Sequence, residues 1–445
     1  MKSVASTVLK SLFLLFFLLA LTPASAGERL KRAIAEDYPY LERFYTHLHS
    51  HPELSFHEKA TSERLAEELR KLGFEVTQNV GGYGVVALMR NGEGPTVMIR
   101  TDMDALPVEE KTGLPYASRR FFDDNESGRR IPVMHACGHD AHMSIFVGTA
   151  RRLAAMKTQW SGTLMMIGEP AEEKGAGSRG MLDAGLFTRF ARPDYNLALH
   201  VDPSLPTGTI GIVPGYAFAN VDSIDIDVYG IGAHGAVPQA GKDPIVLSAQ
   251  IILALQTIVS RELSPHNPAV VTVGSIHGGT QHNIIPEKVT LQLTVRTYGD
   301  ATRRKVLDSI KRIVLNQARA FGIPEEKLPK ISVKKAYTPS VYNDPGLTGR
   351  IRGRFEEVFG KKQVRTLQPS MVGEDFSRYG RTEPRIPSLM FRLGATDPAE
   401  YAEAEAGKRV LPPLHSPRFA PPPEATIKTG VEAMTEAALL LLKKE

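Results

Sequence analysis

Val221-Asp222-Ser223-Ile224-Asp225-Ile226-Asp227-Val228-Tyr229 alternates polar and apolar residues over most of its length. That is the pattern of a β-strand with one face on a core and the other in water. Upstream the pattern differs. Residues 85–90 and 96–101 are short, wholly apolar-centred runs, as strands buried on both faces are. An amphipathic helix at 141–156, a strand at 163–168, a short helix at 177–185 and a strand at 195–201 then follow one another, after two helical patterns in 41–72 that break at His51-Pro52-Glu53. Such alternation predicts an α/β fold with a mostly parallel sheet and helices on both faces. Downstream, a helix at 244–263, strands at 269–276 and 288–297, a helix at 302–321 and a strand at 331–336 complete a βαββαβ order. After Tyr337 buried apolar segments resume and end in a helix at 425–443. The βαββαβ unit therefore reads as an α+β insertion at 220–336, with hinges near Pro214-Gly215 and Thr338-Pro339. Residues 27–219 and 337–445 together form the α/β domain.

The N-terminus carries Lys2 and Lys10 ahead of an apolar run at 12–21, followed by Ala24-Ser25-Ala26. The run is too short to span a bilayer and the small-x-small triplet suits a leader peptidase, so 1–26 is predicted to be a signal peptide cleaved after Ala26. The mature chain is then periplasmic or secreted. No later stretch reads as a membrane helix. With 445 residues, 42% hydrophobic and 23% charged, the composition is that of an ordinary globular protein of roughly two or three domains. The net charge of +5 is modest, and no basic stripe carries interleaved aromatics, which argues against a nucleic-acid partner. The paired arginines at 119–120, 129–130, 151–152 and 303–304 read as solvated surface.

The chemistry gathers where the predicted strands end. Asp102 and Asp104 follow one strand; Cys137 and His139, in Met134-His135-Ala136-Cys137-Gly138-His139-Asp140-Ala141-His142, precede a helix. Glu169, Glu172 and Glu173 follow the next strand, His200 ends another, and His415 sits in the Pro-rich loop Leu411-Pro412-Pro413-Leu414-His415-Ser416-Pro417. In open α/β sheets the carboxyl edge is where ligands bind. Cys137 is the only cysteine, so no internal disulfide is available to it, and it is a buried small hydrophobe, a nucleophile or a metal ligand. A lone Cys is more often packing, and paired glutamates are usually solvated. Their company shifts the balance: a thiolate, imidazoles and carboxylates together suit zinc, manganese, cobalt or nickel. A helix N-terminus and a nearby cation would favour the Cys137 thiolate. The adjacent Glu172 and Glu173 diverge, so one can bind metal while the other faces substrate.

Asp102-Met103-Asp104-Ala105-Leu106-Pro107, the segment around Cys137, Glu169-Pro170-Ala171-Glu172-Glu173, Leu199-His200-Val201 and Leu414-His415-Ser416 closely resemble the M20 metallopeptidase family. The nearest branch is its amidohydrolase subfamily D, which includes hippurate hydrolases, N-acyl amino acid deacylases and auxin-conjugate hydrolases. The resemblance covers nearly the whole mature chain, including the inserted unit. It implies a zinc-peptidase-like catalytic domain with a lid and dimerisation domain, and two divalent metal ions per subunit, zinc or manganese first, cobalt or nickel next. It implies Cys137, His139, Glu173, His200 and His415 as metal ligands, with Cys137 bridging, and Glu172 as general base. The family's His-x-Asp motif has Asp102 at the His position, so Asp102 is left out of the ligand set and Asp104 becomes the supporting acid.

In the insertion, Gly232-Ala233-His234-Gly235-Ala236-Val237-Pro238 resembles the family's Gly-Gly-His-Ala-Ala-x-Pro loop, departing from it at Ala233 and Gly235. The resemblance implies that His234 reaches a neighbouring subunit's site and stabilises the oxyanion, hence a homodimer through the lid. Asn283 in His282-Asn283-Ile284-Ile285-Pro286 and Arg296 in Val295-Arg296-Thr297 match positions suited to a substrate carboxylate. A salt bridge within the lid is the competing role for Arg296. Glu374, in Gly373-Glu374-Asp375-Phe376, is expected near the site, and Tyr116, Phe218 and Met371 are candidates to line it. His135, His142, His277 and His282 are taken as structural. The function this implies is hydrolysis of an N-acyl amino acid or small peptide by metal-activated water. A dipeptidase or carboxypeptidase of the same fold, a cysteine hydrolase using Cys137 and His139, and a non-catalytic metal-binding scaffold are the alternatives.

Overall fold

The computed structural model describes residues 25–124 and 128–443. The predicted leader at 1–26 lies outside them except for its last two residues. Of these, Ser25 caps the first helix, Ala26–Ser50: its hydroxyl accepts from the Glu28 N–H at 3.2 Å, and the Glu28 carboxylate accepts from the Ser25 N–H at 2.8 Å. Cleavage after Ala26 would remove this capping box, at a cost of about 1 kcal/mol to the helix end. The helix starts well before the 41–72 pattern, and it carries Pro39 inside it.

The main sheet has eight strands in the order Glu75–Thr77, Val85–Asn91, Gly162–Glu169, Thr96–Asp102, Tyr195–Pro206, Ser388–Thr396, Ile210–Ile212 and Val364–Thr366. Its four central members, Gly162–Glu169 to Ser388–Thr396, run parallel, while Val85–Asn91 joins them antiparallel. The central strands are apolar without alternation because both faces are covered. Leu164 and Met166 meet the helices Ala26–Ser50, His139–Ala155 and Pro423–Leu441 on one side; Met165 and Ile167 meet Met181, Phe376 and Tyr379 on the other. Ser388–Thr396 lies inside this sheet although it comes from the C-terminal part of the chain. His200 does not end its strand, which runs on to Pro206.

A second sheet of four antiparallel strands has the order Ala269–Gly278, Lys288–Thr297, Asn220–Tyr229 and Lys330–Val333. The helices Pro244–Thr257 and Asp300–Ala320 pack on it through a separate core that includes Ile224, Ile226, Ile251, Leu255, Leu291 and Ile310. Along Asn220–Tyr229 the even-numbered residues face inward, which buries Asp222 as well as Ile224 and Ile226. Asp222 is compensated by Arg303, whose Nε and Nη2 reach it at 2.8 and 2.6 Å, with the guanidinium 3.6 Å from the Tyr337 ring centre. Arg303 is thus structural, not solvated surface, and so are Arg151 and Arg152, which hold Asp37 at 3.1 and 2.5 Å.

Contrary to the expectation for the chain beyond the leader, Pro244–Glu262 is long and apolar enough to cross a bilayer by length and composition. One of its faces packs on the small sheet through Leu247, Ile251, Leu255 and Ile258. The other leaves Ile245, Val246, Leu253 and Val259 exposed.

Candidate metal centre

Each candidate side chain is aimed by its own backbone. Gly138 precedes the helix His139–Ala155 at φ +81°, and a Cβ there would lie 2.7 Å from Val201 Cγ2, so both conformation and space require glycine. His139 Nδ1 donates to the Asp104 carbonyl at 2.8 Å, which leaves Nε2 as the free lone pair. His200 Nδ1 donates to the Val201 carbonyl at 2.7 Å, and its Nε2 lies 3.5 Å from Cys137 Sγ. Ala171, at φ +52°, gives its N–H to the Glu58 carboxylate at 2.7 Å and starts the 3₁₀ turn Glu172–Lys174. Asp104 Oδ2 accepts from the Glu173 N–H at 3.0 Å and from Ser55 Oγ at 2.6 Å. His415 is held at φ +66°, its N–H on the Ala136 carbonyl at 2.8 Å and its Nε2 3.5 Å from Glu173 Oε1. Two non-glycine residues in the left-handed region beside one cluster is strain of the kind found at functional sites.

The result is two donor triads, Cys137 with His139 and His200, and Cys137 with Glu173 and His415, each with its ligand atoms within 4.8 Å of one another. They share Cys137. His139 also groups with Glu172 and Glu173, and Glu172 with Glu374 and Asp375. Asp102, His139 and His142 are equally close, but His142 has no lone pair to give: Nδ1 bonds Asp102 at 2.7 Å and Nε2 accepts the Val201 N–H at 2.9 Å. His142 ties the end of Thr96–Asp102 to the middle of Tyr195–Pro206, as a structural histidine. His135 is buried with neither ring nitrogen partnered among the described residues.

The donor set fits divalent cations. His139 Nε2, Glu173 Oε1 and Asp104 Oδ1 are buried without a hydrogen-bond partner among the described residues. Arg100, itself buried, bonds Asp102 at 2.7 Å, Glu169 at 2.8 Å and Glu374 at 3.0 Å, and Asp375 lies 3.4 Å away. One guanidinium thus faces four carboxylates, with Asp104, Glu172 and Glu173 beyond it. Burial and then Glu374, Glu173 and Asp375 push Glu172 well above the usual carboxylate range; burial, with Asp104 and Asp102, raises Glu173 to about 7 despite His139. Burial opposes charge on His139, yet Asp102, Asp104 and Glu173 raise it to about 10. Protons held this way mark where cations would compensate the same charge. The Cys137 thiol is pushed well up by burial, then by Glu173, Glu172 and Asp102. The helix end alone therefore does not favour its thiolate.

These groups open into a cleft of about 680 Å³, within the range of small-molecule sites. Cys137, Glu172, Glu173, His200 and His415 line it, and so do Phe218 and Arg296. Arg296 has no carboxylate partner among the described residues; its Nε bonds Thr294 Oγ1 at 3.1 Å, so the lid salt bridge is not formed. His234, on the short strand Ala233–His234, and Asn283, just ahead of its partner strand Ile284–Ile285, are exposed, and neither lines the cleft. Met371 does not line it either, and Tyr116 packs instead against Tyr45 and His49. The sequence reading missed Arg100 and Arg392. Each is a cation inside an apolar strand, which was the available signal.

The model of peptidase family M20/M25/M40 matches residues 98–438. An N-acetyl-L-cysteine deacetylase of Bacillus subtilis is 37% identical over 75% of this chain and 76% of its own length. Thermostable carboxypeptidase 1 of Saccharolobus solfataricus is 34% identical over 88% of this chain and 93% of its own. A solved Bacillus subtilis structure, described as a dinuclear metal-binding peptidase of the M20 family, superposes with a TM-score of 0.73 at 29% identity, covering 92% of this chain and 99% of that one.

Proposed function

This chain belongs to peptidase family M20/M25/M40 and is a hydrolase of C–N bonds, and from that premise we propose that it is an exported two-metal amidohydrolase that removes the acyl group from N-acyl amino acids or cuts small peptides. The observation that carries this is the pair of donor triads meeting at Cys137. Cys137, His139 and His200 would hold one ion, and Cys137, Glu173 and His415 the other. When bound there, the two cations supply Lewis acidity, polarising the scissile carbonyl and acidifying a water. Glu172, on the cleft wall beside Glu173, takes the proton from the attacking water on its carboxylate and passes it to the leaving nitrogen. Asp104 keeps Glu173 and His139 in place through the bonds given above. Arg296 pairs with the substrate carboxylate.

Chelation tests the reading against a cysteine hydrolase. Dialysis against a chelator is expected to abolish turnover of N-acyl amino acids, and zinc, manganese, cobalt or nickel to restore it. Full activity in metal-free protein would sink the proposal. A Cys137 nucleophile has little support, since its thiol is buried and surrounded by carboxylates, the reverse of an activating environment.

In this reading residues 27–219 and 337–445 are the catalytic domain and 220–336 a lid through which two copies pair, so that His234 serves the partner subunit's site. The support is the small sheet's bare edge, Ala269–Gly278, with Ile276 exposed, beside the helix that exposes Leu253 at 72%. Leu253→Asp with Ile276→Lys is expected to give monomers on gel filtration and to lower kcat about 10²–10³-fold, the usual cost of a lost oxyanion donor. Full activity at monomer mass would remove His234 from the mechanism.

A further inference from the structure

Arg392 lies in register with His200 on the neighbouring parallel strand, so both side chains leave the sheet on one face, and both line the cleft. Its guanidinium rests 4.9 Å from the Phe218 ring centre and makes one contact, Nη1 to Asp202 Oδ2 at 3.3 Å. Nε and Nη2 are without an acceptor among the described residues. Asp202 is itself divided, its Oδ1 accepting from the Ser204 N–H at 2.8 Å and from Ser204 Oγ at 2.6 Å. Arg303 by contrast grips Asp222 through two nitrogens. Arg151 and Arg152 also leave Nε unpartnered, but neither lines this cleft, so it is the position in the cleft together with the open nitrogens that sets Arg392 apart. Arg296, across the cleft lining, also lacks a carboxylate. Two under-partnered guanidinium groups in one cleft ask for two anions.

We propose that the cleft is built for substrates carrying two carboxylates, one taken by Arg296 and the second by Arg392, the second belonging either to an acidic side chain or to a dicarboxylic acyl group. The proposal rests on the amidohydrolase reading above. Its test compares charged substrates with neutral isosteres on metal-loaded protein: N-acetyl-L-glutamate against N-acetyl-L-glutamine, and N-succinyl-L-alanine against N-succinamoyl-L-alanine. At least one charged member is expected to win by about tenfold or more in kcat/KM, and which pair does so names the source of the second carboxylate. In Arg392→Met that ratio is expected to collapse to about twofold or less. Equal rates within both pairs for the unsubstituted protein, or a preference that survives Arg392→Met, would overturn the proposal, and the first result decides even if the variant fails to fold. If no N-acyl compound is turned over, the amidohydrolase reading fails separately, and calorimetric affinities of the same pairs for metal-loaded Glu172→Gln protein decide this one by the same ratios.

Discussion

Glu172→Gln is expected to lower kcat by about 10²–10⁴ while leaving both metal ions bound. The amide is nearly isosteric with the carboxylate and cannot take a proton from water. The backbone turn that presents the residue is retained, because it closes through the Gly175 N–H on the Glu172 carbonyl at 2.6 Å. The two triads that meet at Cys137 do not include Glu172. Elemental analysis of the variant should therefore match the unsubstituted protein, with kcat and metal content parting company. Loss of metal together with activity would make Glu172 a ligand, and an unchanged kcat would remove it from the chemistry.

The same separation tells why Glu172 and its neighbour differ although they are adjacent in sequence. Glu173 lies 3.9 Å from His139 Nε2 and 3.5 Å from His415 Nε2, among groups whose lone pairs could hold a cation. Glu172 is grouped with Glu374 and Asp375 as well as with His139 and Glu173, so it stands between the acids and the donor triads. Burial and these acids hold its proton affinity high. A base needs that affinity near the working pH, and the positive charge of bound cations acts in the opposite direction to bring it down.

Periodicity was enough to reveal most elements, since a face that must be buried writes its spacing into the sequence. Lys288–Thr297 is read at its observed bounds, and Val85–Asn91 within one residue. What periodicity cannot carry is a charge whose partner is distant in the chain. Arg100 bonds Glu374 across most of the chain, and Arg392 stands beside His200 only because Ser388–Thr396 enters the sheet next to Tyr195–Pro206. His142 is similar: its role as a tie between Asp102 and Val201 follows from two hydrogen bonds that no spacing encodes. The convergence of Cys137, His139, Glu173, His200 and His415 was legible for a different reason. The resemblance to the family's motifs named them, and the delivery of parallel strands' carboxyl ends to one edge accounts for part of the set, such as Glu173 after Gly162–Glu169, but not for His415 in its Pro-rich loop. His234 and Asn283 lack such a constraint, because they lie on and just ahead of the short paired strands Ala233–His234 and Ile284–Ile285, away from the main sheet's edge.

Cys137→Ala is expected to strip both ions and to lower kcat by at least about 10²–10³-fold, more than the loss of any ligand that serves one triad. Cys137 is the shared member of both triads. His200→Ala or His415→Ala leaves the other triad whole, so each should retain close to one ion per chain. Measuring metal content also decides between a ligand and a nucleophile, because both would lose activity on Cys137→Ala. A nucleophile's removal leaves the metal content unchanged, whereas a bridging ligand's removal empties the site. Iodoacetamide adds the converse test. The buried thiol, pushed well up by burial and by Glu173 and Glu172, should react slowly without metal, and with metal it is tied as a ligand. Rapid inactivation of the metal-loaded protein, with its ions still bound, would return Cys137 to the role of nucleophile.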